Sequence, residues 1–252
     1  MARLEIRDIC KSFGALVVIS NVSFRLEAGE RAALIGPNGA GKTTLVNIIS
    51  GAIPASSGLV SFQGVDIGGT SMAQRARMGL IRTFQISRLF DALSVEENLL
   101  VALLHRDRIA SRLWSRSGTG QHDEQVADGL GKLGITHLAR KTVKDISLGE
   151  KRLVELSLAL AMDPKLLLLD EPAAGIPRGE SHMVLEAVNQ LPADLAVLLI
   201  EHDMDIVFGW AKRIIVLAGG SVLADGSPLA ISRDESVKRV YFGQGGEPYA
   251  AR

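Results

Sequence analysis

Gly36-Pro37-Asn38-Gly39-Ala40-Gly41-Lys42-Thr43-Thr44 follows the short apolar run Arg31–Ile35 and precedes Leu45–Ser50, a stretch without breakers that stops at Gly51. Strand, loop and helix in that order make G-x-x-x-x-G-K-[ST] a phosphate-binding loop rather than an ordinary glycine turn. Backbone N–H groups must turn inward to surround phosphate oxygens, and Gly39 and Gly41 permit a close approach because they carry no Cβ. The N-terminus of the following helix adds a partial positive charge at the same place. In such a loop Lys42 supplies a full charge to the β/γ-phosphates, and the Thr43 hydroxyl is a Mg²⁺ ligand. The candidate nucleotide-binding residues are therefore Gly36, Pro37, Asn38, Gly39, Ala40, Gly41, Lys42, Thr43 and Thr44.

A phosphate loop needs a partner strand that ends in a carboxylate, and Leu166-Leu167-Leu168-Leu169-Asp170 supplies one. Asp170 is placed to reach the metal through water. Glu171 beside it is placed to orient or deprotonate an attacking water. Lys165–Asp170 and Leu195–Glu201 are continuous apolar runs, the pattern of parallel strands covered on both faces.

Composition narrows the class. The 252 residues carry 28 Lys+Arg and 28 Asp+Glu, so the formal charge is zero, against a surface built to hold nucleic acid. With 47% apolar residues the chain can bury a core of its own and needs no staples. Cys10 is the one cysteine, which excludes an intrachain disulfide and a cysteine metal cluster; such a residue reads as a small buried hydrophobe. Met1–Asp8 carries charges where a signal peptide needs an apolar stretch. Asp163, Lys165, Asp170 and Glu201 interrupt the runs that approach membrane-span length, so a cytosolic chain is expected.

The first 30 residues read as short strands, Leu4–Ile9, Val17–Ile19 and Val22–Leu26, with two more around Gly58–Phe62 and Val65–Ile67. From Ser94 to Met162 the pattern is mostly helical, and Ser94-Val-Glu-Glu97 and Ser147-Leu-Gly-Glu150 are capping boxes that open two of the helices. Arg106–Gly120 is basic and Ser/Gly-rich and reads as a loop or weak helix, either solvated or turned toward lipid headgroups or a membrane partner. Strands return at Arg213–Leu217 and Val222–Asp225, and Ser227-Pro228 starts a C-terminal helical segment. The fold class is α/β: a P-loop NTPase (RecA-like) core with an N-terminal antiparallel β subdomain and an inserted α-helical subdomain. Residues 1–84 and 164–226 form the core with its β subdomain, 85–163 the helical subdomain and 227–252 a helical tail.

Taken together, these motifs resemble the ATP-binding subunit of an ABC transporter over nearly the whole chain. Leu166–Pro172 resembles the family's Walker B strand with its catalytic glutamate, Glu171. Phe84-Gln85 resembles the Q-loop, which implies that Gln85 contacts the metal and the attacking water. Glu201-His202-Asp203 resembles the switch segment, so that His202 contacts the γ-phosphate. Phe13, between Lys11-Ser12 and Gly14, matches the aromatic that stacks on adenine. Ile146-Ser147-Leu148-Gly149-Glu150 resembles the signature usually written Leu-Ser-Gly-Gly-Gln. There Ser147 and Gly149 read the γ-phosphate held by the opposite subunit, which implies a head-to-tail dimer. Leu148 and Glu150 depart from the commonest form.

The resemblance implies ATP and Mg²⁺ as cofactors, Thr43, Gln85 and Asp170 as the metal-side residues, and ATP hydrolysis coupled to transport. Integral-membrane permease subunits are implied as partners through the segment Gln85–Asn98. The second ATPase is either an identical chain or a related one, and a binding protein takes part indirectly. The expected location is the cytoplasmic face of the cell membrane. Arg82-Thr-Phe-Gln85, Leu93–Asn98 and Asp170–Pro177 resemble the branched-chain (hydrophobic) amino acid uptake group. The ending Val237–Gly243 also resembles the ATPase of lipopolysaccharide export, and urea and aromatic-acid uptake systems share the type. A soluble ABC ATPase without transport is the remaining alternative. Pro177 stands where Asp or Asn is usual, and its fixed φ and missing N–H are expected to weaken coupling between the two sites without abolishing activity.

Overall fold

The computed structural model describes residues 2–83, 89–107 and 120–242. The chain opens with strands β1 (Leu4–Phe13), β2 (Leu16–Leu26) and β3 (Arg31–Ile35), then helix α1 (Lys42–Ser50). Strands β4 (Ser57–Phe62) and β5 (Val65–Asp66), helix α2 (Met72–Arg77) and strand β6 (Leu80–Arg82) follow. The helical segment holds α3 (Val95–Arg106), α4 (Gly120–Lys132) and α5 (Leu148–Ala161), with 3-10 turns at Thr136–Leu138 and Val143–Asp145. Then come β7 (Leu166–Asp170), α6 (Arg178–Asn189), β8 (Ala196–Ile200), α7 (Met204–Trp210), β9 (Arg213–Ala218), β10 (Ser221–Gly226), α8 (Pro228–Arg233) and α9 (Glu235–Phe242).

Two sheets form. The smaller is antiparallel, in the order β2-β1-β4-β5, and the larger runs β10-β9-β3-β8-β7-β6. Within the larger sheet the strands from β9 to β6 are parallel, and β10 closes one edge antiparallel to β9. Alternation along its strands divides the core in two. Ala32, Leu34, Leu166, Leu168, Leu198 and Ile200 face α1 and the small sheet. Ala33, Ile35, Leu167, Leu169, Val197 and Leu199 face the layer of helices α3 to α6. The residues of β3, β7 and β8 are therefore apolar at almost every position, and polar groups appear where these strands end.

The structure departs from the sequence expectations in places. Val17–Ile19 and Val22–Leu26 are one strand, because a bulge at Asn21 (φ +52°) absorbs the interruption without breaking the ladder. Cys10 is only half-buried, and its sulfur accepts the Asn21 N–H at 3.3 Å. The segment read as a basic loop falls at residues 108–119 outside the described residues. Helix α2 and strand β6 have no counterpart in the sequence reading. Ser71 and Gln74 close a capping box at the start of α2, so its signal was present in the sequence.

Helix α2 has a purpose for the phosphate loop. It carries Arg75, 2% exposed, whose guanidinium donates to Ile48 O (2.6 Å), Ile49 O (2.7 Å) and Ile67 O (2.5 Å) and to Thr70 Oγ1 (3.0 Å). The cation thus satisfies carbonyls at the C-terminus of α1, where the helix dipole is negative. Arg75→Met should lower the unfolding free energy by about 3 kcal/mol, since charged hydrogen bonds are lost and buried carbonyls stranded. Urea denaturation measures this, and a loss below about 1 kcal/mol would show that α1 needs no such cap.

Candidate functional site

Register decides which side chains meet. Leu34 pairs with Ile200, and Ile200 with Asp170, so β3, β8 and β7 end level with one another. One residue beyond lie Glu171 and Glu201, and two beyond Leu34 lies Gly36. On the far side of β7, Arg82 is level with Leu168. Four parallel strands thus deliver their C-terminal loops to a single sheet edge, the usual place for a ligand in open α/β folds.

The loop between β3 and α1 turns through Gly39 (φ +79°) and Gly41 (φ +99°). These glycines do different work. A Cβ on Gly39 would meet nothing within 4 Å, leaving the outer side of the loop open to a ligand. A Cβ on Gly41 would lie 2.5 Å from Ile19 Cδ1, so Gly41 lets the loop lie against β2. Asn38 and Thr43 are exposed, Pro37, Lys42 and Thr44 half-buried, and Ala40 buried. Lys42 Nζ donates to Gly36 O (2.6 Å) and Pro37 O (3.1 Å), and so lies across the loop. Burial pulls its ammonium below the usual lysine range, and the charge of Glu171 is near enough to oppose this.

At the end of β7, Asp170 Oδ2 accepts from Arg82 Nη2 at 2.5 Å, and Arg82 Nη1 donates to Asn47 Oδ1 at 2.6 Å. Arg82 therefore ties the carboxylate to the helix that carries Thr43. Glu171 adopts φ +47°, a left-handed conformation that costs a non-glycine residue about 1 kcal/mol. Its N–H is held by Ile200 O at 2.9 Å, which fixes the turn at the strand end. Glu171 Oε1 stands 3.6 Å from His202 Nδ1, and the imidazole is largely exposed. Among the described residues no group of three or more His, Cys, Asp or Glu forms a cage for a metal ion. Asp170 and the Thr43 hydroxyl suit Mg²⁺ held largely by phosphate oxygens, with few protein ligands.

Two contributors to this edge were not singled out from sequence: Arg82 and Glu201. The latter is 2% exposed and accepts the backbone N–H of His202 (2.9 Å) and Asp203 (3.4 Å), shaping the turn that presents His202. Its signals were an acidic residue ending an apolar strand and its place beside His202.

The remaining candidates lie elsewhere. Phe13, half-exposed, sits at the tip of the β1–β2 hairpin with Lys11 Nζ 4.9 Å from its ring centre. Leu16 and Val17 beside it are exposed too, and Val18 and Ile19 on the same strand touch the phosphate loop at Gly41. Ser147 caps α5 and closes a box with Glu150, while Leu148 is exposed. Ser147 Oγ and the Gly149 N–H both donate to Glu180 Oε2, at 2.8 and 2.9 Å. Pro177 is the N-cap of α6. Gln85 and Phe84 lie outside the described residues.

A phosphate loop, two successive carboxylates and a histidine on three adjacent strand ends define a P-loop nucleotide-binding ATPase. The ABC transporter family model matches residues 19–174. The chain belongs to the ABC transporter family, as one of its ATP-binding cassettes. It is 35% identical to the high-affinity branched-chain amino acid transport ATP-binding protein LivG of Salmonella typhimurium, over 96% of this chain and 98% of that one. With the corresponding protein BraF of Pseudomonas aeruginosa the identity is 33%, again over 96% of this chain and 98% of that one. A solved ATP-binding cassette of an ABC transporter in its ADP conformation superposes with a TM-score of 0.85 at 31% identity, covering 96% of this chain and 98% of that one.

Burial pushes the Glu201 carboxyl above the usual glutamate range, and the His202 and Asp203 N–H groups pull back only in part. The folded chain therefore keeps the Glu201 proton at pH values where the unfolded chain has lost it. Stability should fall as pH rises from the ordinary glutamate range through that raised value, then level off. Glu201→Gln should remove this component, so that the variant gains on the wild type as pH rises above the ordinary glutamate range. Chemical denaturation across that rise measures the difference; a constant gap would rule out a buried, reluctantly charged Glu201.

Proposed function

We propose that this chain is the ATP-hydrolysing motor of an importer for branched-chain or related small amino acids, working as one half of an ATPase dimer. The convergence of Lys42, Asp170, Glu171 and His202 on one sheet edge is the observation that carries the reading. In it Phe13 and its apolar neighbours receive the adenine ring, and the N–H groups of residues 36–44 surround the phosphates. Lys42 turns from its carbonyl partners to the terminal phosphates. Thr43, Gln85 and Asp170 would hold Mg²⁺, which would neutralise negative charge on the terminal phosphates.

Glu171 then takes the proton of the attacking water or fixes its direction, and His202 steadies that carboxylate and reaches for the γ-phosphate. Ser147 and Gly149 read the nucleotide of the second subunit. The amino acid assignment rests on the relatives' role in branched-chain amino acid transport and on near full-length similarity to them. No helix among the described residues is long and apolar enough to cross a membrane, so in this reading the pore belongs to permease subunits. An open, largely apolar cavity of about 460 Å³ between β6, α3 and α5, lined by Ile81, Leu89, Phe90, Val101 and Met162, supports docking there. The chain then lies on the cytoplasmic face of the membrane, with the binding protein acting through the permease.

Glu171→Gln should retain ATP binding and lose turnover by about 10²–10⁴-fold, the range of a positioned acid–base group. Lys42→Ala should lose binding itself. Phosphate release and equilibrium nucleotide binding measure the two, and a Glu171→Gln variant that turns over within tenfold of wild type would remove Glu171 from its role.

A further inference from the structure

Among the described residues three helices, α2, α3 and α5, start with a capping box in which the third helical residue accepts the N–H of the N-cap serine. Gln74, Glu97 and Glu150 make that return bond, the last two at 2.7 Å. In α6 the N-cap is Pro177 and the third helical residue is Glu180. Proline has no N–H to offer, so Glu180 has the position for a box and no partner to close it.

Its carboxylate is found instead at the N-terminus of α5. Oε2 accepts the Ser147 hydroxyl at 2.8 Å and the Gly149 N–H at 2.9 Å. The approach depends on glycine, since a Cβ at Gly149 would lie 2.6 Å from that oxygen. An anion therefore already occupies the two donors that, in the function proposed above, receive phosphate oxygens from the opposite nucleotide. Carboxylate and phosphate compete for the same N–H, the same hydroxyl and the same end of the helix dipole.

We propose that Glu180 is an internal stand-in for the phosphate, holding the signature site of the free subunit until ATP-driven dimer closure displaces it. The proposal rests on the reading of Ser147 and Gly149 as a phosphate site. Pro177 is the reason that the clasp forms in this chain. A subunit whose clasp is closed about nine times in ten requires roughly tenfold more ATP to dimerise than one without it.

The test uses the full chain carrying Glu171→Gln, so that ATP·Mg²⁺ persists, with dimerisation followed by light scattering as ATP is raised. Adding Glu180→Ala should lower the ATP needed for half-dimerisation about tenfold. Pro177→Ser, which restores an N-cap N–H and completes an S-x-x-E box, should draw Glu180 away from α5 and lower it likewise. The double variant should gain little over either single one. An unchanged or raised requirement with Glu180→Ala overturns the proposal, as does the absence of an ATP-driven dimer in every variant. Ser147→Ala separates the two levels. If it abolishes dimerisation while Glu180→Ala changes nothing, only the stand-in fails; if it dimerises like its parent, the phosphate reading of the signature fails and the stand-in with it.

Discussion

The level ending of β3, β8 and β7 is the constraint on which the site depends. Leu34, Ile200 and Asp170 stand side by side in a sheet whose faces are both covered, and the apolar residues of these strands are at most 3% exposed. Each such leucine or isoleucine contributes about 1.5–3 kcal/mol by leaving water, and none can be exchanged for a charged residue without a partner. Polar chemistry is therefore pushed to the strand ends. A slip of one residue in β7 would exchange its two core faces and withdraw Asp170 from the edge. The hydrophobic core thus acts as the ruler for Asp170, Glu171 and His202, although these groups lie beyond it at the strand ends.

Most of this was legible in the sequence because it is local. The phosphate loop announces itself through spacing and context, and the strands β3, β7 and β8 through unbroken apolar runs of the right length. Capping boxes at Ser94 and Ser147 located two helix starts to the residue. What escaped was tertiary. Strand β6 has three residues, too few for a period, and becomes a strand only by pairing with β7. Arg75 and Arg82 look like surface cations in one dimension. Burial turns the first into a cap for α1 and the second into a tie between Asn47 and Asp170. Glu201 read as the flank of a histidine motif, whereas it is the buried acceptor around which the turn is built.

The strained backbone of Glu171 follows from the same geometry. A chain leaving a buried parallel strand must turn at once if the next side chain is to face the phosphate loop, and a left-handed residue turns it in one step. Ile200 O takes the freed N–H, so the neighbouring strand holds the turn in place. The strand ends thus stand on the sheet, whereas Ser147 and Gly149 stand on the layer of helices packed against it.

That division gives the N-terminus of α6 its importance. The helix follows directly on the loop that carries Glu171, and its third residue reaches α5, so one short segment links the sheet edge to the N-terminus of α5. The interaction there has the right size for a switch. Hydrogen bonds to a carboxylate are worth about 1.5–3 kcal/mol each, and a helix cap about 1 kcal/mol, so bound and released arrangements of Glu180 differ by only a few kcal/mol. Nucleotide contacts across a dimer can overcome such a difference, whereas a fully buried ion pair would resist them. Pro177 reads in the sequence as a defect in the link between two ATP sites. In the structure that N-cap offers no N–H and Glu180 binds Ser147 and Gly149 instead, so in the proposal above the coupling runs through that side chain rather than through the proline itself.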